Sequence, residues 1–223
     1  MNKQADTLIR ISPACPQIIV EQTDRGIISR KAVTAESLFQ AILGSRYDDG
    51  VHPVGFLPEH CFSVTLAGKS MIYYLRFPNL QADVSYYGTE YPAFPLPRLV
   101  FSIRYLPESG KVGGVRMAVV RDERLTPDTP MYVYPFSNVY GNHQVCLGNN
   151  ALPVYKGPAR LHTLMRHVLA FPNNDDMFRE ENNRLGLGYR DLMEHLKNKL
   201  PAYYYSNVLL PSGQTLEDFM KAG

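Results

Sequence analysis

Apolar and polar residues alternate in three runs near the middle of the chain. Leu99, Phe101, Ile103 and Tyr105 alternate with Ser102 and Arg104; Val115, Met117 and Val119 with Arg116 and Ala118; Met131, Val133 and Pro135 with Tyr132, Tyr134 and Phe136. A period of two is the spacing of side chains on one face of a strand. Joined by Glu108-Ser109-Gly110 and by Thr126-Pro127-Asp128-Thr129-Pro130, the runs predict an antiparallel meander over residues 99–136. Past Pro158 the apolar spacing becomes helical: Leu161, Leu164, Met165, Val168 and Leu169 share one face, and Phe171-Pro172 stops the helix. Tyr189, Leu192, Met193, Leu196 and Leu200 mark a second helix ending at Pro201, and Leu216, Phe219 and Met220 a short third one starting at Ser212 or Thr215.

Upstream the pattern is more broken. Leu8 to Ile11 and Ile18 to Val20, continuing toward Ile27-Ile28, read as a hairpin with turns at Pro13, Pro16 and Asp24-Arg25-Gly26. Thr34 is placed to cap a helix with Glu36 in its first turn, Leu38, Ala41 and Ile42 on its apolar face, and Gly44 at its end. Residues 45–59 are rich in Asp, Gly and Pro and predict a joint between an N-terminal elaboration, residues 1–58, and a main body, residues 59–223. In that body Cys61 to Leu66 and Met71 to Phe77 read as paired strands around Ala67-Gly68-Lys69, followed by a proline-punctuated stretch to Pro97. Strands first and helices after predict an α+β fold, the helices lying at one side or end of the sheet.

Composition narrows the function classes. Hydrophobic residues make up 45% of the chain and charged residues 20%, and the formal charge of +2 comes without a basic block, so no nucleic-acid or membrane-surface partner is expected. No apolar run reaches membrane-spanning length, and the start Met1-Asn2-Lys3-Gln4-Ala5-Asp6 is unlike a signal peptide. Cys15, Cys61 and Cys146 are too widely spaced for a disulfide framework or a paired zinc motif. A reducing, cytoplasmic setting is the expectation, with no cofactor and no metal.

The candidate chemistry gathers in Ser137-Asn138-Val139-Tyr140-Gly141-Asn142-His143-Gln144-Val145-Cys146-Leu147-Gly148. A free cysteine between Val and Leu is by itself usually a small buried hydrophobe. Asn138, however, lies where a folded-back loop can bring its amide to the cysteine's reaction partner, as an oxyanion donor or as a turn residue bonding its own backbone. His143 invites a Cys-His pairing, yet sits on a tight turn; His52, His60, His162, His167 and His195 read as isolated residues.

Four features in order carry a resemblance: Gly113-Gly114-Val115 opening a strand, Met131-Tyr132-Val133-Tyr134 after a proline-rich turn, Phe136-Ser137-Asn138-Val139-Tyr140 before Val145-Cys146-Leu147, and Phe171-Pro172-Asn173-Asn174-Asp175-Asp176 ending the next helix. The chain resembles ubiquitin-conjugating enzymes, in which a His-Pro-Asn tripeptide precedes the thioester cysteine and a Pro-Asn-Pro-Asp-Asp segment faces it. Asn138 matches the tripeptide's Asn, Cys146 the thioester cysteine, and Asp175 and Asp176 the acidic pair, while Phe136 and Ser137 replace His and Pro and Gly148 stands where many members have Asp. With the Pro-Leu-Pro-Arg-Leu-Val run at residues 95–100, the chain looks most like the bacterial branch called prokaryotic conjugating-enzyme family D, which includes the PRTRC system protein B.

The resemblance implies a ubiquitin-conjugating-enzyme-like fold and an acyltransferase. Cys146 would accept a ubiquitin-like modifier as a thioester from an adenylating enzyme and pass it to an amine or hydroxyl, with a JAB-type metallopeptidase in the same pathway. Asn138 would serve the oxyanion, and Asp176, with Asp175 as understudy, would orient an acceptor amine; a solvated acidic turn is the plainer account of that pair. A silent binding module of the same fold is the first alternative, and a cysteine hydrolase using Cys146 with His143 or His162 the second.

Overall fold

The computed structural model describes residues 6–12, 15–24, 27–45 and 55–222. The chain divides into two compact units, residues 1–53 and 54–223. The turns expected at Pro13 and Arg25-Gly26, and the Asp48-Asp49-Gly50 and His52-Pro53 stretches of the expected joint, lie outside the described residues.

In the first unit β1 (Asp6–Ser12), β2 (Cys15–Asp24) and β3 (Ile27–Val33) form an antiparallel sheet in that order, followed by α1 (Ala35–Ser45). The expected hairpin therefore gains a third strand, paired with β2 from Asp24↔Ile27 to Ile18↔Val33. Its polar centre, Ser29-Arg30-Lys31, hid it from the apolar pattern, and Arg30 there donates to the Glu21 carboxylate on the neighbouring strand at 2.8 Å. The helix starts where its cap predicts, the Ser37 N–H donating to Thr34 Oγ1 at 3.1 Å.

The second unit holds a six-stranded antiparallel sheet and a separate hairpin. From one edge to the other the sheet runs β11 (Pro211–Thr215), β10 (Pro130–Tyr132), β9 (Lys111–Val120), β8 (Arg98–Leu106), β5 (Ser70–Arg76) and β4 (Cys61–Ala67); β6 (Gln81–Tyr86) and β7 (Thr89–Pro95) form the hairpin, which the proline pattern concealed. Register places Leu75, Phe101 and Met117 side by side, with Tyr74, Ser102 and Arg116 on the opposite face. Both faces are covered. On the first, Leu99, Phe101 and Ile103 pack with Phe94, Leu161, Leu164, Leu192 and Tyr204 in the main core. On the second, Ile72, Tyr74, Val100, Ala118, Val120 and Met131 pack with Leu216 and Phe219. Ala118, counted among the polar-side positions in the sequence, is thus core on the far face.

The helices follow the 3.6-residue pattern closely. A 3-10 turn at Pro158–Arg160 leads into α2 (Thr163–Leu169), and α3 (Tyr189–Leu196) buries Tyr189, Leu192, Met193 and Leu196. Leu200, assigned to that face, is exposed, because the helix ends before it and a short α4 (Ala202–Asn207) follows Pro201. The last helix, α5 (Leu216–Lys221), has a capping box between Thr215 and Asp218. No helix among the described residues is long and apolar enough to cross a membrane.

The meander order of residues 99–136 holds, but its third strand is only Pro130–Tyr132. Val133 instead donates its N–H to Leu210 O at 2.9 Å, and the edge of β9 left free is filled by another segment, with Met117 N–H donating to His143 O at 2.8 Å and Val145 N–H to Val115 O at 2.9 Å. That segment carries the candidate cysteine.

Candidate active site

Residues 138–146 form a tight hairpin. Cys146 N–H donates to Asn138 O at 2.8 Å, Val139 and Val145 face each other as a bridge, and Tyr140 and Gln144 close the next rung. The turn is helped by His143 at φ +70°, and Asn138 enters the hairpin at φ +64°, a left-handed conformation Asn tolerates better than most residues. Arg116 pins the tip from β9: its guanidinium donates to Asn142 O and, at 2.8 Å, to Phe219 O. Gly148, at φ +50°, and the Asn150 amide on Leu147 O turn the chain away just beyond the cysteine. The result is a half-buried thiol at the sheet's edge.

Cys146 Sγ receives a long contact from the Tyr140 hydroxyl, at 3.9 Å, which raises the exposed phenol's pKa above its usual value. Tyr140 was missed in the sequence. Strand periodicity held the clue, because residue 140 lies on the same hairpin face as 138 and diagonally across from 146.

No histidine among the described residues bonds the sulfur. His143 is buried, its Nε2 2.7 Å from Gln214 Oε1 and its ring edge-on to Phe219, and burial lowers its pKa. His162, His167 and His195 direct ring nitrogens to Ala159 O, Ala151 O and Tyr203 OH. The base that a Cys-His hydrolase needs on its sulfur is not among them. Among the described residues no group of three or more His, Cys, Asp or Glu side chains could hold a metal ion.

The segment ending α2 comes back to this hairpin. Asn138 Nδ2 donates to Pro172 O at 3.1 Å and to Asn173 Oδ1 at 3.3 Å, which engages both of its amide hydrogens. Asn173 is clamped on the other side to the end of β6, its N–H donating to Ser85 O and its own carbonyl accepting from Tyr87 N–H. The acidic pair follows. Asp175 Oδ1 accepts the Tyr86 hydroxyl at 2.7 Å, and burial together with this bond pushes the Tyr86 pKa up to about 12. Asp176 is exposed and forms a small ring with Asn174, giving its N–H to Asn174 Oδ1 and accepting Asn174 Nδ2 at 3.0 Å. Asn138, Cys146 and the acidic turn are thus linked in one chain of contacts, with Asn138 bonded to both sides.

Phe136 and Ser137, which stand in the places of His and Pro, are buried and engaged. The Phe136 ring meets Phe94, Tyr134, Tyr189 and Tyr204 edge-on at 5.5 to 6.2 Å. Ser137 Oγ donates to Asn173 Oδ1 at 3.0 Å, and burial raises the pKa of the nearby Tyr189 phenol strongly. Beside the hairpin lies an open cleft of about 780 Å³ lined by Val139, Tyr140, His143, Met177, Arg179 and Gln214, among others.

Compared with known proteins, the chain matches the family model described as prokaryotic E2 family D over residues 36–163, more than half its length. The matched span includes the cysteine hairpin and stops before the acidic turn. No curated protein and no solved structure matches it significantly.

Proposed function

The chain belongs to prokaryotic E2 family D, and we propose from this premise that it is a conjugating enzyme with an E2-like fold, carrying a ubiquitin-like modifier as a thioester on Cys146. The observation that carries the reading is the linked arrangement of a half-buried cysteine, Asn138 and an acidic turn at the edge of one sheet. In the first step the Cys146 thiolate attacks the thioester carbonyl on an activating enzyme, the new C–S bond forms and the donor's thiolate leaves. Exchange between two thioesters is nearly balanced and requires no strong base beside the sulfur. In the second step an acceptor amine attacks, the C–N bond forms, Cys146 leaves as thiolate and the amine gives up a proton. Asp176, exposed on its turn, would orient the amine and help strip its hydration. Asn138 would give up one of its two bonds to meet the developing oxyanion, which is worth roughly 10 to 1,000-fold in rate.

The test mixes the purified chain with an adenylating enzyme, its ubiquitin-like protein and ATP. The expected product is an adduct cleaved by thiols, absent in Cys146→Ala and replaced in Cys146→Ser by a thiol-resistant ester. Asn138→Ala and Asp176→Ala are expected to load and then discharge slowly to an amine. Absence of any adduct with a cognate pair would move the assignment to a silent binding module, and an adduct persisting in Cys146→Ala would remove Cys146 as the carrier.

A further inference from the structure

Between Asn138 and the acidic turn sits a carboxamide with every hydrogen-bonding position filled. Asn173, 8% exposed, accepts on Oδ1 from Ser137 Oγ and Asn138 Nδ2 and donates from Nδ2 to Ser85 O at 3.1 Å and Phe171 O at 3.3 Å. Two lone pairs and two hydrogens are all a carboxamide has, so its orientation is determined. Ser85 O and Phe171 O, which can only accept, set which way round it lies, and the hydroxyl of Ser137, 1% exposed, ties its Oδ1 to the entry of the cysteine hairpin.

The acidic turn has a second support. The Tyr189 ring stacks on Tyr86 at 4.4 Å with 21° between planes, and Tyr86 holds Asp175 through its hydroxyl. The turn is thus supported by the Asn173 clamp, which Ser137 bonds, and by the tyrosine stack.

We propose that Ser137 is a positioning residue for the transfer step, its buried hydroxyl tying Asn173 to the entry of the cysteine hairpin so that Asn138 and the turn bearing Asp175 and Asp176 are held in register with Cys146. The proposal rests on the thioester reading. It assigns to a serine at the motif's proline position the coupling of two stretches that share no strand. Loading needs only an accessible thiolate, so the effect of losing the hydroxyl falls on discharge.

The experiment compares wild type, Ser137→Ala, Ser137→Thr, Asn173→Ala and the Ser137→Ala/Asn173→Ala double variant in single-turnover loading and in discharge to free lysine. Ser137→Ala is expected to load within about twofold of wild type and discharge about tenfold more slowly, the size of one lost buried hydrogen bond. Ser137→Thr, which keeps the hydroxyl, restores discharge, and the double variant is no slower than Asn173→Ala because both act through one carboxamide. Amide hydrogen exchange provides an arm independent of activity: in Ser137→Ala the amides of Cys146 and Asn173 exchange faster while those of Phe101 and Ile103, central in the sheet, do not. Equal slowing of both steps in proportion to a fall in Tm, additive losses, or unchanged exchange at Cys146 and Asn173 would each overturn the proposal. A wild type that never loads removes the transferase reading instead, and the exchange arm then decides alone whether Ser137 holds the two stretches together.

Discussion

Replacing Phe136 by alanine should destabilise the unit of residues 54–223 by about 4 kcal/mol, within the range of about 3 to 5 kcal/mol for Phe→Ala in a packed core. The ring is 4% exposed and makes four edge-on contacts with other rings, a geometry that adds roughly 0.5 to 1.5 kcal/mol per pair beyond area burial. What places the value above the lower limit is the immobility of the neighbours. Tyr204 is fixed by a 2.7 Å bond from its hydroxyl to Pro95 O, and Tyr189 is held between a stacked Tyr86 at 4.4 Å and an edge-on Phe178 at 4.9 Å, so neither can swing into the space left behind. The cavity already beside the ring is only about 20 Å³ and will enlarge rather than close. For a unit of this size the loss corresponds to a fall in Tm of roughly 8 to 16 °C. Near-ultraviolet circular dichroism is a suitable probe, since the chain has no Trp and every Tyr but Tyr47 lies in residues 54–223. Phe136→Leu, which refills part of the space, should lose less than half as much. A Phe136→Ala chain melting within a few degrees of wild type would show that the rings repack, and the argument from their immobility would fail.

Gly110→Ala should cost more than about 2 kcal/mol by urea denaturation, because a Cβ there would lie 2.3 Å from Tyr155 O at a φ of +69°; Gly68→Ala, with φ +61° and open space, should cost about 1 kcal/mol, and equal losses would refute the steric account. His143 has a pKa lowered below its usual 6.5, first by burial and also by Arg116, so in acid the unfolded chain takes up a proton before the folded one. Its contribution is fully present above about pH 6.5 and is lost as pH falls from there toward the lower folded pKa; in His143→Phe the urea midpoint should decline less between about pH 7 and 5, and an unchanged slope would assign the titration elsewhere.

Much of the architecture was legible because burial imposes period. The runs at Leu99 to Tyr105 and Val115 to Val119 are core strands, and Leu161 to Leu169 and Tyr189 to Leu196 bury the faces their spacing indicates. What escaped were elements whose burial comes from elsewhere. The β6–β7 hairpin is broken by prolines and held by contact with the segment after α2, and β3 is an exposed strand whose polar centre carries no alternation. Met131 to Phe136 alternate as a strand should, yet only Pro130–Tyr132 are strand, since the rest of the β9 edge is occupied by the cysteine hairpin. For the candidate site, the sequence supplied Cys146, Asn138 and the acidic pair. Ser137, Asn173, Tyr86 and Tyr189 became visible only as neighbours in space, because contacts such as Ser85 with Asn173 leave no short-range signature.

Those same contacts set when the site exists. Ser137 and Asn173 are 36 residues apart and Asn173 and Ser85 are 88, so both loops must close before the clamp gains a single bond, and closure costs entropy that grows with the logarithm of loop length. Nothing local repays that cost; it is repaid by the sheet and helices that bring the three stretches together. The clamp therefore forms only in molecules whose sheet and helices have already brought the three stretches together, and a chain with its sheet intact but its clamp open would present Cys146 without the arrangement of Asn138 and the acidic turn beside it.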